Sequence, residues 1–396
     1  MNNFILPAIW LIVLIVGLPQ LSETVYTPSL PDIAKALQTS ESMVEYTLTI
    51  FLFGFAIGTL FWGNISDKLG RKPCVIAGLI VFILGCVGCY LGTTIEILMI
   101  SRFIQAFGGS IGSVLGQAIC RDAFHGPVLG KVYSSIGSAL ALFPALGPVV
   151  GGVVAENMGW RYTFLFLLCF AILLVILILR KLPETHPVMN RKSFSFLKVA
   201  LTLMLDKKVM GFGLIVAACN GILFSYFAEG SFYLIKGLGL TSSAYGLSFM
   251  LISAATMAGG MLSKKLHATH SSKVIMSYGI NGIMIASTIF STIAIIHQCL
   301  WQLSACQMII ITLLSQMGIA FSVCVATSNA LALALVNYKH VIGTASSLFG
   351  FFYYCLISLF TLGMGFLHNG TLLVMPLYFF ALSLLMVFVK KFILER

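Results

Sequence analysis

Apolar residues run along this chain in long blocks, and most charged residues fall in the short breaks between them or at the block ends. A helix needs about 20 apolar residues to cross a bilayer. Twelve blocks of that order can be marked off, at residues 4–30, 43–63, 73–93, 95–120, 128–156, 160–181, 209–236, 243–263, 274–296, 300–335, 341–367 and 371–390. Strands of alternating polarity, as in an outer-membrane barrel, are absent. The pattern predicts an all-α polytopic membrane protein with twelve transmembrane helices.

The longest polar stretch, Leu182 to Lys208, falls near the midpoint of the 396 residues. It divides the chain into an N-terminal six-helix bundle (1–181), a cytoplasmic linker (182–208) and a C-terminal six-helix bundle (209–396). A short pattern repeats across the two halves. GNISDKLGRK begins at Gly63 after the second span, and GMLSKKLHAT begins at Gly260 after the eighth. Both read G-x-x-S-x-K-L, and internal duplication of this kind marks transporters whose substrate site lies where the halves meet.

Composition removes the soluble alternatives. The chain is 59% hydrophobic and 9% charged, whereas a soluble domain carries about 25% charged residues. The net charge of +11 raises the question of nucleic acid, but its distribution answers it. Nineteen of the 23 lysines and arginines fall in the even-numbered loops and at the C-terminus, leaving Lys35, Arg102, Arg161 and Lys236 elsewhere. By the positive-inside rule the rich side is cytoplasmic and both termini face inward. The charge therefore encodes topology, with no nucleic-acid partner expected. The opening MNNFILPAIW lacks a basic n-region and cleavage site, so the first apolar block is expected to be retained as a helix.

Ten cysteines are scattered through apolar segments, and the Cys86/Cys89 pair has no second pair to complete a metal site. None of the seven histidines forms a metal-spaced cluster; His267 and His270 fall in a basic loop. No metal and no cofactor are expected. There is no Ser/His/Asp constellation and no nucleotide-binding P-loop, so neither an enzyme nor ATP drive is indicated.

Three charges stand well inside predicted spans, away from their ends: Glu23, Arg102 and Glu229. A charge at mid-membrane costs at least about 2.5–3.5 kcal/mol, which makes each a functional candidate. A carboxyl group sheltered from water can be neutral in one state and charged in another, so Glu23 is the leading proton carrier. Glu229 lies at comparable depth in the repeat-partner span and suits recognition of cations or a second proton. The plainer alternatives are a Glu23 near the periplasmic surface, an Arg102 snorkelling to headgroups, and an interfacial Glu229 paired with Lys236. Asp32, Glu41, Glu45, Glu96 and Glu156 fall at predicted periplasmic ends and are expected to be solvated. Position along the spans nominates Tyr26, Gln105, Asn220, Tyr226, Phe232, Asn329, Phe351 and Tyr354 as lining a substrate cavity.

Three ordered motifs carry a family resemblance. They are the loop Gly63-Asn-Ile-Ser66-Asp67-Lys68-Leu69-Gly70-Arg71-Lys72, the segment Arg102-Phe-Ile-Gln105-Ala-Phe-Gly108, and a fifth-span run with Gly137, Pro144, Gly147, Pro148, Gly151 and Gly152. Together they resemble the major facilitator superfamily, specifically its twelve-helix drug:proton antiporters. RFIQAFG, GQAICRD and YTPSLPDIA are similar to the branch that includes bicyclomycin and chloramphenicol exporters. The resemblance implies the two-half major facilitator fold, proton coupling through Arg102, and an antiporter motif in the fifth span. It also implies a conformational latch of Gly63, Asp67, Gly70, Arg71 and Asp122. In that latch Asp67 faces the start of the eleventh helix near Gly343, and Arg71 pairs with Asp122 while the transporter is open outward. The plain alternative is a set of solvated topology charges. In that branch the helix-1 acid stands two residues before the tyrosine, where this chain has Thr24. Glu23 is one residue earlier, about 100° away around the helix.

The expected function is a proton-coupled antiporter that exports drug-like or amphipathic small molecules across a bacterial cytoplasmic (inner) membrane, acting as a monomer. Export of a siderophore or other native metabolite is the alternative within transport. A non-transporting receptor or scaffold is the alternative outside it.

Overall fold

The computed structural model describes residues 6–124, 128–129, 132–133, 136, 142–185 and 196–395. Gly137, the greater part of 125–141, linker residues 186–195, and the basic residues Lys131, Arg191, Lys192 and Arg396 lie outside the described residues. Among the described residues, eleven helices are long and apolar enough to cross a membrane. The helices are α1 (Ile9–Ala36), α2 (Glu41–Leu69), α3 (Arg71–Leu91), α4 (Ile95–Ala123), α5 (Phe143–Met158), α6 (Arg161–Lys181), α7 (Lys207–Gly237), α8 (Ser242–Leu266), α9 (Ser272–Cys299), α10 (Ala305–Ala334), α11 (Ile342–Leu367) and α12 (Val374–Val389). The one outside the eleven is α5, described over 16 residues. Leu84, Leu91, Ile100, Leu314 and Phe366 stand exposed on the outer surface, as lipid-facing residues do.

Helix ends depart from the apolar blocks where local chemistry dictates. The second helix continues six residues past the block end at 63, because Asn64 to Leu69 contain no breaker; it stops at Gly70, whose φ of 102° favours glycine. So the first half of the "loop" motif is helical. Prolines 28 and 31 remove backbone donors, and α1 accordingly loosens into a tight turn at Thr27–Ser29 before resuming as Leu30–Ala36. At Ser110, after two glycines, α4 breaks and restarts. Over Phe232–Gly237, α7 widens into i→i+5 turns, a form frequent at functional sites. The linker carries an apolar helix, Phe196–Leu205, where a polar connection was expected. Leu203 of this helix packs with Ala334, Tyr338 and Phe349, and Asp206 caps α7 through the Lys208 and Val209 N–H groups.

Small residues let backbones approach. A Cβ at Gly151 would land on the Val25 carbonyl, and one at Gly147 on the Thr24 hydroxyl, so α1 and α5 touch along their backbones. The two halves meet along two seams. In one, α2 runs beside α11, with Ser358 Oγ donating to the Thr49 carbonyl at 3.0 Å. In the other, Gly152 abuts the Ser242 carbonyl and Gly246 abuts that of Pro148, which closes α5 on α8 at the end away from the basic loops.

Candidate functional site

Three charge clusters lie within this frame, one at mid-span and one at each end. The central cluster forms where α1, α2, α4 and α11 converge. Arg102 is fully buried, which excludes snorkelling. Its guanidinium carbon sits 4.0 Å from the ring centres of both Tyr26 and Phe51, so the cation is held between two π faces. One nitrogen, Nη1, donates to the Ser22 carbonyl at 3.3 Å and to Gln105 Oε1. Gln105 in turn donates to Cys86 Sγ at 3.0 Å. Arg102 Nε and Nη2 are buried without a hydrogen-bond partner among the described residues. Such orphans cost about 1–3 kcal/mol or more, and the acid within electrostatic reach is Glu23.

Glu23 is 6% exposed and therefore not a surface residue. Its carboxylate also lies within electrostatic range of Tyr353 and Tyr354 on α11, across the boundary between the halves. The one-residue offset now has a structural meaning. Thr24 hydrogen-bonds back to Gln20 and packs against Gly147, so the position that carries the acid in the similar branch is spent here on the α1–α5 seam. Glu23 takes the face that looks toward Arg102.

The second cluster stands at the basic-loop end. Arg71 Nε donates to Asp122 at 2.8 Å, while Nη1 donates to Asp67 at 2.6 Å and Ser66 at 2.7 Å. Two carboxylates and a hydroxyl thus hold the guanidinium in place by charge-assisted hydrogen bonds. Gly63 lies against Ser347 on the early turns of α11. Glu184 completes the group, accepting from the Arg71 and Lys72 N–H groups at 2.9 and 3.1 Å as an anion at the start of α3. Replacing Glu184 with Ala is expected to cost about 0.5–2 kcal/mol, the usual loss for an N-terminal cap. An unchanged unfolding midpoint in detergent would show that the cap contributes nothing. In the second half, Ser263 takes the place of Ser66 but receives its hydrogen bond from Asn329, at 2.9 Å.

The third cluster was missed in the sequence. At the far end His368, in the α11–α12 turn, hydrogen-bonds Glu229 through Nδ1 at 2.7 Å and Glu41 through Nε2 at 3.1 Å. The Glu229 hydrogen bond holds the imidazole protonated above its ordinary range; partial burial opposes this, and the charges of Glu229 and Glu41 reinforce it. Glu45, expected in solvent, is fully buried with neither oxygen hydrogen-bonded among the described residues. Lys236 pairs with Glu41 and not with Glu229. The available signal was the i,i+4 spacing of Glu41 and Glu45, which puts both on one helix face. Nothing in the sequence joined that face to His368, 327 residues beyond Glu41.

Glu23 and Glu229 therefore occupy separate clusters and do not face each other. The cavity candidates are likewise dispersed. Tyr26 and Gln105 surround Arg102, and Tyr354 packs on Phe55 at 4.7 Å between ring centres. Tyr226 belongs to an aromatic group with Tyr245 and Phe249, and the Phe232 ring is tilted against that of His368 with centres 5.7 Å apart. Asn220 bonds the Val216 carbonyl of its own helix, Asn329 is committed to Ser263, and Phe351 is half-buried. Pro144 lies in the first turn of α5 and Pro148 inside it.

The apolar helices are those of a polytopic membrane protein, and the family match makes it a transporter, not an enzyme. The sequence profile of the Major Facilitator Superfamily matches residues 12–362, and the chain belongs to that family. An uncharacterized transporter of Rickettsia bellii is 34% identical over 384 residues, covering 94% of this chain and 93% of that protein. A bicyclomycin resistance protein homolog of Haemophilus influenzae is 30% identical over 339 residues, covering 84% and 82%. The crystal structure of a D-xylose-proton symporter superposes with a TM-score of 0.74 over 97% of both chains at 18% identity, a likeness of fold alone.

Proposed function

We propose that this protein is a proton-coupled antiporter that exports drug-like or amphipathic small molecules by alternating access. The observation that carries the reading is the central pair at the boundary between the halves: a buried arginine with two donors orphaned among the described residues, beside a buried acid whose influences there are burial and the charge of that arginine. When Glu23 loses its proton, its carboxylate is a partner for Arg102 Nε and Nη2. Protonation releases that arginine. A site of this kind holds either a proton or a cationic or hydrogen-bonding substrate, which is what exchange requires. The names of relatives, such as the bicyclomycin resistance homolog, support a drug-like substrate.

The basic loops orient the chain with both termini in the cytoplasm of a bacterial inner membrane. The end bridged by Glu41, Lys236 and His368 is then the outer one. The Arg71–Asp122 pair accompanies this bridged outer end, whereas the family resemblance ties it to the outward-open state. Both residues belong to the first half, so a rigid rocking of the halves has no need to break them apart. The state-dependent part of the latch is then the approach of Gly63 to α11.

One elementary charge crossing 100 mV releases about 2.3 kcal/mol, enough to concentrate a neutral solute about fifty-fold per proton. The test is transport by the purified chain in proteoliposomes under an imposed pH gradient, with cationic, neutral and siderophore substrates. Uphill movement of a cationic or neutral drug against the proton gradient is expected. Transport of none of the panel, or transport indifferent to the gradient, overturns the reading.

A further inference from the structure

His368 poses a problem of charge that the antiport reading does not use. Its Nε2 faces Glu41 Oε2 at 3.1 Å, and its Nδ1 faces Glu229 Oε2 at 2.7 Å and Glu45 Oε1 at 3.5 Å. Carboxylates only accept hydrogen bonds. A neutral imidazole that donates Nε2–H to Glu41 turns its Nδ1 lone pair toward carboxylate oxygens, so the place between them takes a positive ion: a proton, which makes the imidazolium, or a metal ion that displaces that proton. Glu45 makes the same demand, being fully buried with both oxygens lacking a donor among the described residues. Glu41, Glu45 and Glu229 are met by one fixed cation in the group, Lys236 on Glu41. A dication at Nδ1 would balance the remaining two carboxylates.

We propose that Glu45, Glu229 and His368 form a divalent transition-metal site that bridges the two halves of the transporter, with Glu41 positioning the imidazole. The three ligand atoms lie within 4.8 Å of one another. Zinc bonds of about 2.0–2.2 Å place tetrahedral ligand atoms roughly 3.3–3.6 Å apart, so the observed 2.7 and 3.5 Å separations need small adjustments only. One imidazole with two carboxylates is a donor set for first-row divalent ions. Glu41 on the far nitrogen supplies the carboxylate–histidine–metal arrangement that fixes the tautomer. A cavity of about 210 Å³, lined by Glu41, Glu229, Phe232, Lys236 and His368, adjoins the site and leaves room for a water or second ligand at the open position. Lys236 lines this cavity, and its side chain is 64% exposed. Glu45 comes from α2 of the first half, Glu229 from α7 and His368 from the α11–α12 turn of the second. A bound ion therefore ties the halves together at this end and holds it shut.

The test measures binding directly and does not depend on transport. The purified full chain in detergent is titrated with Zn²⁺ by calorimetry, and with Co²⁺ to read coordination from its visible spectrum. Wild type is expected to take up one tight equivalent. Glu45→Gln and His368→Gln should weaken it by more than about 100-fold, and Glu41→Gln by about 10–100-fold. A variant lacking the exposed His267 and His270 should bind as wild type does. Unfolding midpoints without metal check that each variant is folded, with Glu229→Gln as a further ligand variant if one is not. Equal affinity in wild type, Glu45→Gln and His368→Gln overturns the proposal. So does a wild type that binds no equivalent these variants lack, in which case the ion between imidazole and carboxylates is a proton.

Discussion

Proton-driven export is expected to fall to background in Glu23→Gln while the protein remains folded. The substitution is nearly isosteric, and among the described residues the Glu23 carboxylate is influenced by burial and the charge of Arg102, with no hydrogen bond for Gln to lose. What Gln cannot do is carry the negative charge that Arg102 faces. The cycle then lacks the state in which the arginine is recaptured after proton release, and the pH gradient has nothing to act on. Downhill movement of substrate should survive, because the rings of Tyr26, Phe51 and Tyr354 are untouched. The measurement is substrate flux with and without an imposed pH gradient in proteoliposomes of equal protein content. Gradient-driven export at the wild-type rate in Glu23→Gln sinks the assignment of this residue. Glu229→Gln separates the roles further: from its place in the outer cluster, it should change the rate of exchange and leave its dependence on the gradient intact.

Among the described glycines, Gly151→Ala is expected to be the most damaging change to alanine. A Cβ there meets the backbone carbonyl of Val25, which cannot rotate aside as a side chain can. Overpacking of a well-fitted interior costs about 1–3 kcal/mol and more where backbone must move. Separating α1 from α5 would also displace Glu23, two residues before Val25, from Arg102. We expect a lower unfolding midpoint in detergent together with at least about a tenfold loss of transport. Gly350→Ala is the control, because a Cβ there meets nothing within 4 Å; helix propensity alone favours alanine by about 0.8–1.0 kcal/mol. Equal behaviour of the two variants would remove the argument that the glycines of α5 form a backbone seam.

The close packing of α5 was legible because it is written in neighbouring residues: small positions every four, with prolines between. Arg102 was legible for a different reason. A charge in an apolar block is costly wherever the block folds, so its importance needs no knowledge of partners. The same logic placed Glu23 correctly as buried but said nothing of which way it faced. Thr24 and Glu23 differ by one position, and only the packing of Thr24 on Gly147 fixed the rotation of α1 that turns Glu23 toward Arg102. Glu45 was misread as solvated, since its place near a helix end suggested water. Coverage by α7 and the α11–α12 turn removed that water, and no local pattern in α2 records it.

By itself the sequence determined the class of the protein, its helical spans and the inventory of buried charge. These follow from the one-dimensional cost of putting polar groups in hydrocarbon, which acts on each segment alone. The partnerships were decided by the tertiary structure. Lys236 joins Glu41 instead of the nearer Glu229, His368 draws together acids from both halves, and Glu23 and Glu229, symmetric along the chain, end in separate clusters. Which charges meet depends on how helices hundreds of residues apart rotate and pack, and electrostatic pairing decays too steeply with distance for sequence position to foretell it.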